Sequence, residues 1–120
     1  MLIGTGSFSP GPGHMIRGTF TLTQETGGIR FLTDEEFFFD GSPAPGFALS
    51  LGVPSDPLSP QVQQNAKDTD FLRIADRIEP VNGQQSGLIS SRININDYDT
   101  VFLWCFEIPS ILGVGPIQRV

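Results

Sequence analysis

The stretch Thr100–Ile108, Thr-Val-Phe-Leu-Trp-Cys-Phe-Glu-Ile, carries apolar side chains on both faces of a two-residue period. Val101, Leu103 and Cys105 share one face, Phe102, Trp104, Phe106 and Ile108 share the other, and Glu107 alone interrupts. β-Branched and aromatic residues fill such two-faced pleated positions well, so the pattern predicts a central strand with cover on both sides. The turn-forming run Asn96-Asp97-Tyr98-Asp99 opens it and Pro109 closes it.

Other segments carry a weaker period. Gly18–Gln24 alternates Phe20 and Leu22 against Thr19, Thr21 and Thr23, which predicts a half-buried strand with a wet face. Gly27-Gly28 can take positive φ, so the chain reverses there and Ile29–Leu32 returns as the second arm of a hairpin. Phe37-Phe38-Phe39 must supply both faces of a sheet, and Phe47, Leu49 and Leu51 mark another strand. Phe71–Ala75, Leu88–Ser90 and Arg92–Ile95 read as short strands, with a type I′ reversal expected at Asn82-Gly83 and an edge strand over Ile111–Ile117. Residues 1–13, rich in Gly, Pro and Ser, predict an irregular N-terminal arm anchored by Phe8. Residues 52–70, with Pro54, Pro57 and Pro60, predict a long loop holding at most one helical turn near Val62–Lys67. The fold expected is all-β: one domain over residues 1–120, an antiparallel β-sandwich of about eight to ten short strands with little or no helix.

Composition narrows the function classes. A chain of 120 residues makes one two-layer core, and 14 Gly with 10 Pro suit a turn-rich β fold. The net charge is −6, and its seven Lys and Arg are scattered, which disfavours nucleic acid and anionic lipid as partners. No apolar run approaches the ~20 residues of a membrane span. The start Met1-Leu2-Ile3-Gly4 lacks the basic and apolar regions of a secretory signal. The single cysteine cannot close an intrachain disulfide, which leaves the compartment open.

A series of short motifs resembles the DM-thirteen domain, a small β-rich module often found beside DOMON domains and associated with electron transfer. Gly6-Ser7-Phe8 followed by His14-Met15-Ile16-Arg17-Gly18-Thr19 matches its opening pattern. Phe37 to Pro43 with Ala48-Leu49-Ser50 matches loosely, and Gly83-Gln84-Gln85 stands where the family has Gly-x-Gln. The specific match is the closing motif, Tyr98 through Trp104-Cys105; Ile108 and Ser86 stand where aromatic residues are expected. The resemblance spans most of the chain. It implies an extracytoplasmic module, not a stand-alone enzyme, whose cysteine does redox work as a bare thiol or as a ligand to haem or a metal.

The candidate site residues follow. Cys105 is the redox candidate, with Trp104, Glu107 and Gln85 in support, and His14, the only imidazole, joins it as a potential axial ligand pair for haem. Haem, a metal or no cofactor fits these residues equally. Structural zinc would need four Cys or His ligands, an acyl-transfer site would need a motif that is not present, and the acidic turns at 34–40 and 97–99 lack EF-hand spacing. The alternative is a non-catalytic interaction or assembly domain, binding protein or carbohydrate or a second copy of itself, in which Cys105 only packs. A free cysteine behaves as a small hydrophobe, and burial among Val101 and Leu103 would quiet its thiol.

Overall fold

A computed structural model describes residues 1–75 and 77–120. Thirteen strands, numbered in chain order, form three antiparallel sheets. The first sheet contains β1 (Leu2–Ser7), β4 (Thr19–Glu25), β5 (Gly28–Thr33), β10 (Ser86–Ser90) and β13 (Gln118–Arg119), in the order β10-β5-β4-β1-β13. The second contains β2 (Ser9–Pro10), β7 (Pro45–Ser50), β8 (Leu72–Arg73), β11 (Thr100–Cys105) and β12 (Ser110–Pro116), in the order β2-β12-β11-β7-β8. A small third sheet joins β3 (Ile16–Arg17), β6 (Phe38–Phe39) and β9 (Val81–Asn82). The fold is thus the expected all-β, sandwich-like arrangement.

All six residues of β11 are buried, and the strand lies between β7 and β12. Its two faces enter different cores. Val101, Leu103 and Cys105 join the interior cluster between the main sheets, with Phe20, Leu22, Phe31, Phe47, Leu49 and Leu112. Phe102 and Trp104 join a second cluster with Ala48, Val62, Ala66 and Ile111. Rings dominate the interior: Phe47 lies 4.7 Å from Phe31, 5.7 Å from Phe8 and 5.9 Å from Phe37, centroid to centroid. Such tilted pairs add to the area each ring buries.

Four expectations need correction. The long loop over residues 52–70 contains a ten-residue helix, α1 (Pro60–Thr69), which covers Phe102 and Trp104. Ser59 caps it, its hydroxyl accepting from the Val62 amide at 3.4 Å, and Pro60 sits at the helix start, where its missing N–H costs nothing. The N-terminal arm is largely strand: β1 lies between β4 and β13. Its inward positions are glycines because the space is taken; a Cβ on Gly6 would fall 2.3 Å from the Phe20 ring. Residues 92–95 are not a strand: Ser90 accepts from the Ile93 amide, Asn94 Oδ1 accepts from the Asn96 amide, and a 3₁₀ turn follows at Ile95–Asp97. Short polar side chains close such local bonds in competition with a ladder. Finally, β11 stops at Cys105, so Phe106, Glu107 and Ile108 belong to a turn rather than to the central strand.

Two smaller differences concern the reversals. β12 is not an edge strand, because β2 pairs with it at Gly113 and Val114. Only Gly83 of Asn82-Gly83 has positive φ, so the reversal there is not the I′ type. The β4–β5 hairpin forms as expected, with Glu25 opposite Gly28.

Candidate functional site

Cys105 ends β11 opposite Pro45 of β7 and Ser110 of β12, and it is 2% exposed. Its thiol donates to the Pro43 carbonyl at 2.9 Å, and its sulfur accepts from the Ile108 amide at 3.3 Å. The thiol therefore has a partner for each of its hydrogen-bonding roles, from two different loops. Both loops have unusual construction.

The first is the strap Ser42-Pro43-Ala44-Pro45. Ala44 has φ 45°, the only positive φ of a non-glycine among the described residues. This region brings Cβ against the following carbonyl and costs an L-residue about 1–2 kcal/mol. The ring of Pro45 restricts the residue before it further. Neighbours hold the strap in place: Phe106 N–H donates to the Ala44 carbonyl at 3.0 Å and Ile74 N–H to the Pro45 carbonyl at 3.1 Å. The Ser42 hydroxyl shares the Pro43 carbonyl with the thiol, at 3.0 Å.

The second loop is the turn at residues 106–109. The Arg73 guanidinium stacks over the Phe106 ring, 3.5 Å from its centroid, and Arg73 Nε donates to Asp70 Oδ2 at 2.7 Å. A cation against a ring face is attracted by its quadrupole. The stack depends on Gly46, where a Cβ would lie 2.7 Å from Arg73 Cδ and 2.9 Å from the Phe106 ring. Beside it a cleft of about 250 Å³ opens between α1 and the turn, lined by Gln63, Lys67, Asp70, Arg73, Trp104 and Phe106. The other Asp70 oxygen, Oδ1, is buried with no hydrogen-bond partner among the described residues.

None of the remaining expected site residues is a hydrogen-bond partner of the thiol. His14 Nδ1 lies 2.9 Å from Asp40 Oδ1, and the Met15 amide donates to Asp40 Oδ2 at the same distance. The imidazole also rests 5.7 Å from the Phe39 ring, so it works as a fastener between β3 and β6. Among the described residues no hydrogen bond joins it to Cys105, whose sulfur is bonded instead to the Pro43 carbonyl and the Ile108 amide. Among the described residues, no group of three or more His, Cys, Asp and Glu gathers as a metal site. Trp104 faces away from the thiol, into the cluster under α1. Glu107 is exposed in the turn. Gln85 is structural: its amide donates to Thr33 Oγ1 at 2.7 Å and its side chain to the Gly83 carbonyl at 3.1 Å.

Sequence reasoning missed Pro43, Ala44, Asp70 and Arg73. Pro43-Ala44-Pro45 was legible as a loop, but its contact with Cys105 crosses 62 residues of chain. No protein-family model, no curated protein and no solved structure matches this chain.

Proposed function

We propose that the chain is a DM-thirteen-type redox module whose working group is the bare Cys105 thiol, opened by movement of the 42–45 strap. The observation that carries this reading is the construction of the sulfur's cover. The strap is held shut by neighbours around a residue in a costly conformation, Ala44 at φ 45°. It therefore stores part of the free energy needed to lift away. The Ile108 amide, aimed at Sγ, stabilises negative charge that gathers on sulfur during exchange.

The chemistry this allows is thiol–disulfide exchange with a redox partner. The Cys105 proton leaves to solvent, the thiolate attacks a disulfide sulfur of the partner, and a mixed disulfide forms as the partner's S–S bond breaks. The displaced partner sulfur departs as a thiolate and takes up a proton. With no second cysteine in the chain, the mixed disulfide is resolved by an outside thiol.

Labelling of the native protein with an aromatic disulfide reagent tests the reading. Cys105 is expected to react at least tenfold faster than global unfolding allows. Ala44→Gly, which relaxes the closed strap, is expected to slow that reaction several-fold. Labelling limited to the global unfolding rate would leave Cys105 a core residue only.

A second reading, an interaction domain, is favoured by a different observation: β10 ends the first sheet with nothing paired along its outer side. Docking of another strand there requires no thiol.

A further inference from the structure

We infer that β10 is a self-association edge, on which a second copy of this chain adds its own β10 antiparallel about a two-fold axis through Leu88. The inference rests on the interaction-domain reading and is independent of Cys105.

The direction of the free backbone groups follows from the register. Thr33 N–H donates to the Gln85 carbonyl at 2.9 Å, and residues 86–90 of β10 pair in sequence with residues 32–28 of β5. Bonded pairs alternate along an antiparallel ladder, so Gly87 and Ile89 also turn their backbone groups toward β5. The Ile89 carbonyl agrees, since a Cβ on Gly28 would lie 2.2 Å from that oxygen. Ser86 and Leu88 consequently point N–H and C=O outward, and Ser90 points its N–H the same way. No described residue bonds these outward groups except the Ile93 amide, which donates to the Ser90 carbonyl.

Other edges of the molecule are blunted. β2, β3, β8, β9 and β13 have two residues each, and β2 contains Pro10. β10 has five, Ser-Gly-Leu-Ile-Ser, with no charge and no proline, so it lacks the devices that keep edges from pairing. Among the described residues it is the one edge strand longer than two.

The sequence fits a second copy of itself. With the axis at Leu88, Leu88 faces the partner's Leu88, Ser86 faces the partner's Ser90, and Gly87 faces the partner's Ile89. Gly87 leaves room for the larger Ile89 opposite it, and β10 brings no charge to the seam. About four main-chain hydrogen bonds close, two at the central pair and one at each Ser–Ser pair, where the Ser90 N–H of one copy donates to the Ser86 carbonyl of the other. Leu88 is 39% exposed, and beside it runs a groove of about 410 Å³ lined by Phe71 and Ile93 with Asp68, Asp70 and Arg92 at its rim. Each copy thus brings apolar surface for the seam and both signs of charge at its border.

Sedimentation of the full chain from micromolar to sub-millimolar concentration, with hydrogen exchange on the same samples, tests the inference. The expected result is a monomer–dimer equilibrium in which the Leu88 and Ser90 amides gain protection with concentration. Gly87 and Ile89 should stay protected throughout. Leu88→Lys, which sets two like charges on the axis, should abolish the dimer. Leu88→Pro should do the same without breaking the β5–β10 ladder, because that N–H faces outward. A dimer that survives both substitutions overturns the inference. So does a monomer with freely exchanging outward amides at every concentration. If that monomer nevertheless gains Leu88 protection from an added Thr-Val repeat peptide, the second copy is the wrong occupant and strand docking survives.

Discussion

The two faces of β11 are buried to the same degree by different means. On the inner face, Val101, Leu103 and Cys105 meet side chains from both main sheets, packed among rings from distant parts of the chain. On the outer face, Phe102 and Trp104 depend on one helix, which offers Val62 and Ala66 as its apolar contacts. A face built from many elements fails only with the whole domain. A face covered by one element can lose its cover alone, because local opening follows the density of buried contacts.

The largest effect that separates the faces is expected from Phe47→Ala. Its ring is fully buried against Phe8, Phe31, Phe37 and Phe71, and its loss should cost about 3–5 kcal/mol, read as a drop in the denaturant midpoint of a single global transition. Thr69→Val should cost less, about 1–3 kcal/mol. Its hydroxyl accepts from the Leu49 amide at 2.7 Å, and valine would leave that buried N–H unpaired where the end of α1 meets β7. Here hydrogen exchange should quicken in α1 before it quickens in β11; equal acceleration in both would show that the two faces open together. The smallest effect belongs to Ser59→Ala, which removes the helix cap at about 1 kcal/mol and should fray the first turn, with Trp104 fluorescence hardly moved.

The sequence was most readable where one residue type had one physical use. Phe20 and Leu22 alternate against threonines because one side of β4 is wet, and Gly27-Gly28 turns because little else tolerates those φ values, 95° and 156°. α1 was hidden because Val62 and Ala66 form too thin a stripe for a helical period to stand out, although Ser59-Pro60 is a cap and first-turn signal. β1 was hidden for the opposite reason: its inward positions had to be Gly4 and Gly6, so no apolar alternation was left to read. Of the candidate site, Cys105 and its central strand were legible. Its covering residues were not, since the bonds from Pro43 and Ile108 and the Arg73 stack arise from packing between separate loops.

The position of β11 between β7 and β12 also sets the order in which this molecule can be made. The β4–β5 hairpin closes across Thr26-Gly27 and can form by itself within about 1–10 μs, as local hairpins do. β7 must wait for a partner fifty residues downstream, at Thr100. During synthesis Phe47, Ala48 and Leu49 leave the ribosome with apolar groups on both sides and no β11 to receive them. Such late pairing exposes nascent chains to aggregation. The doubly buried strand that organises the finished fold therefore leaves its unfinished form with unpaired apolar surface on both sides of β7.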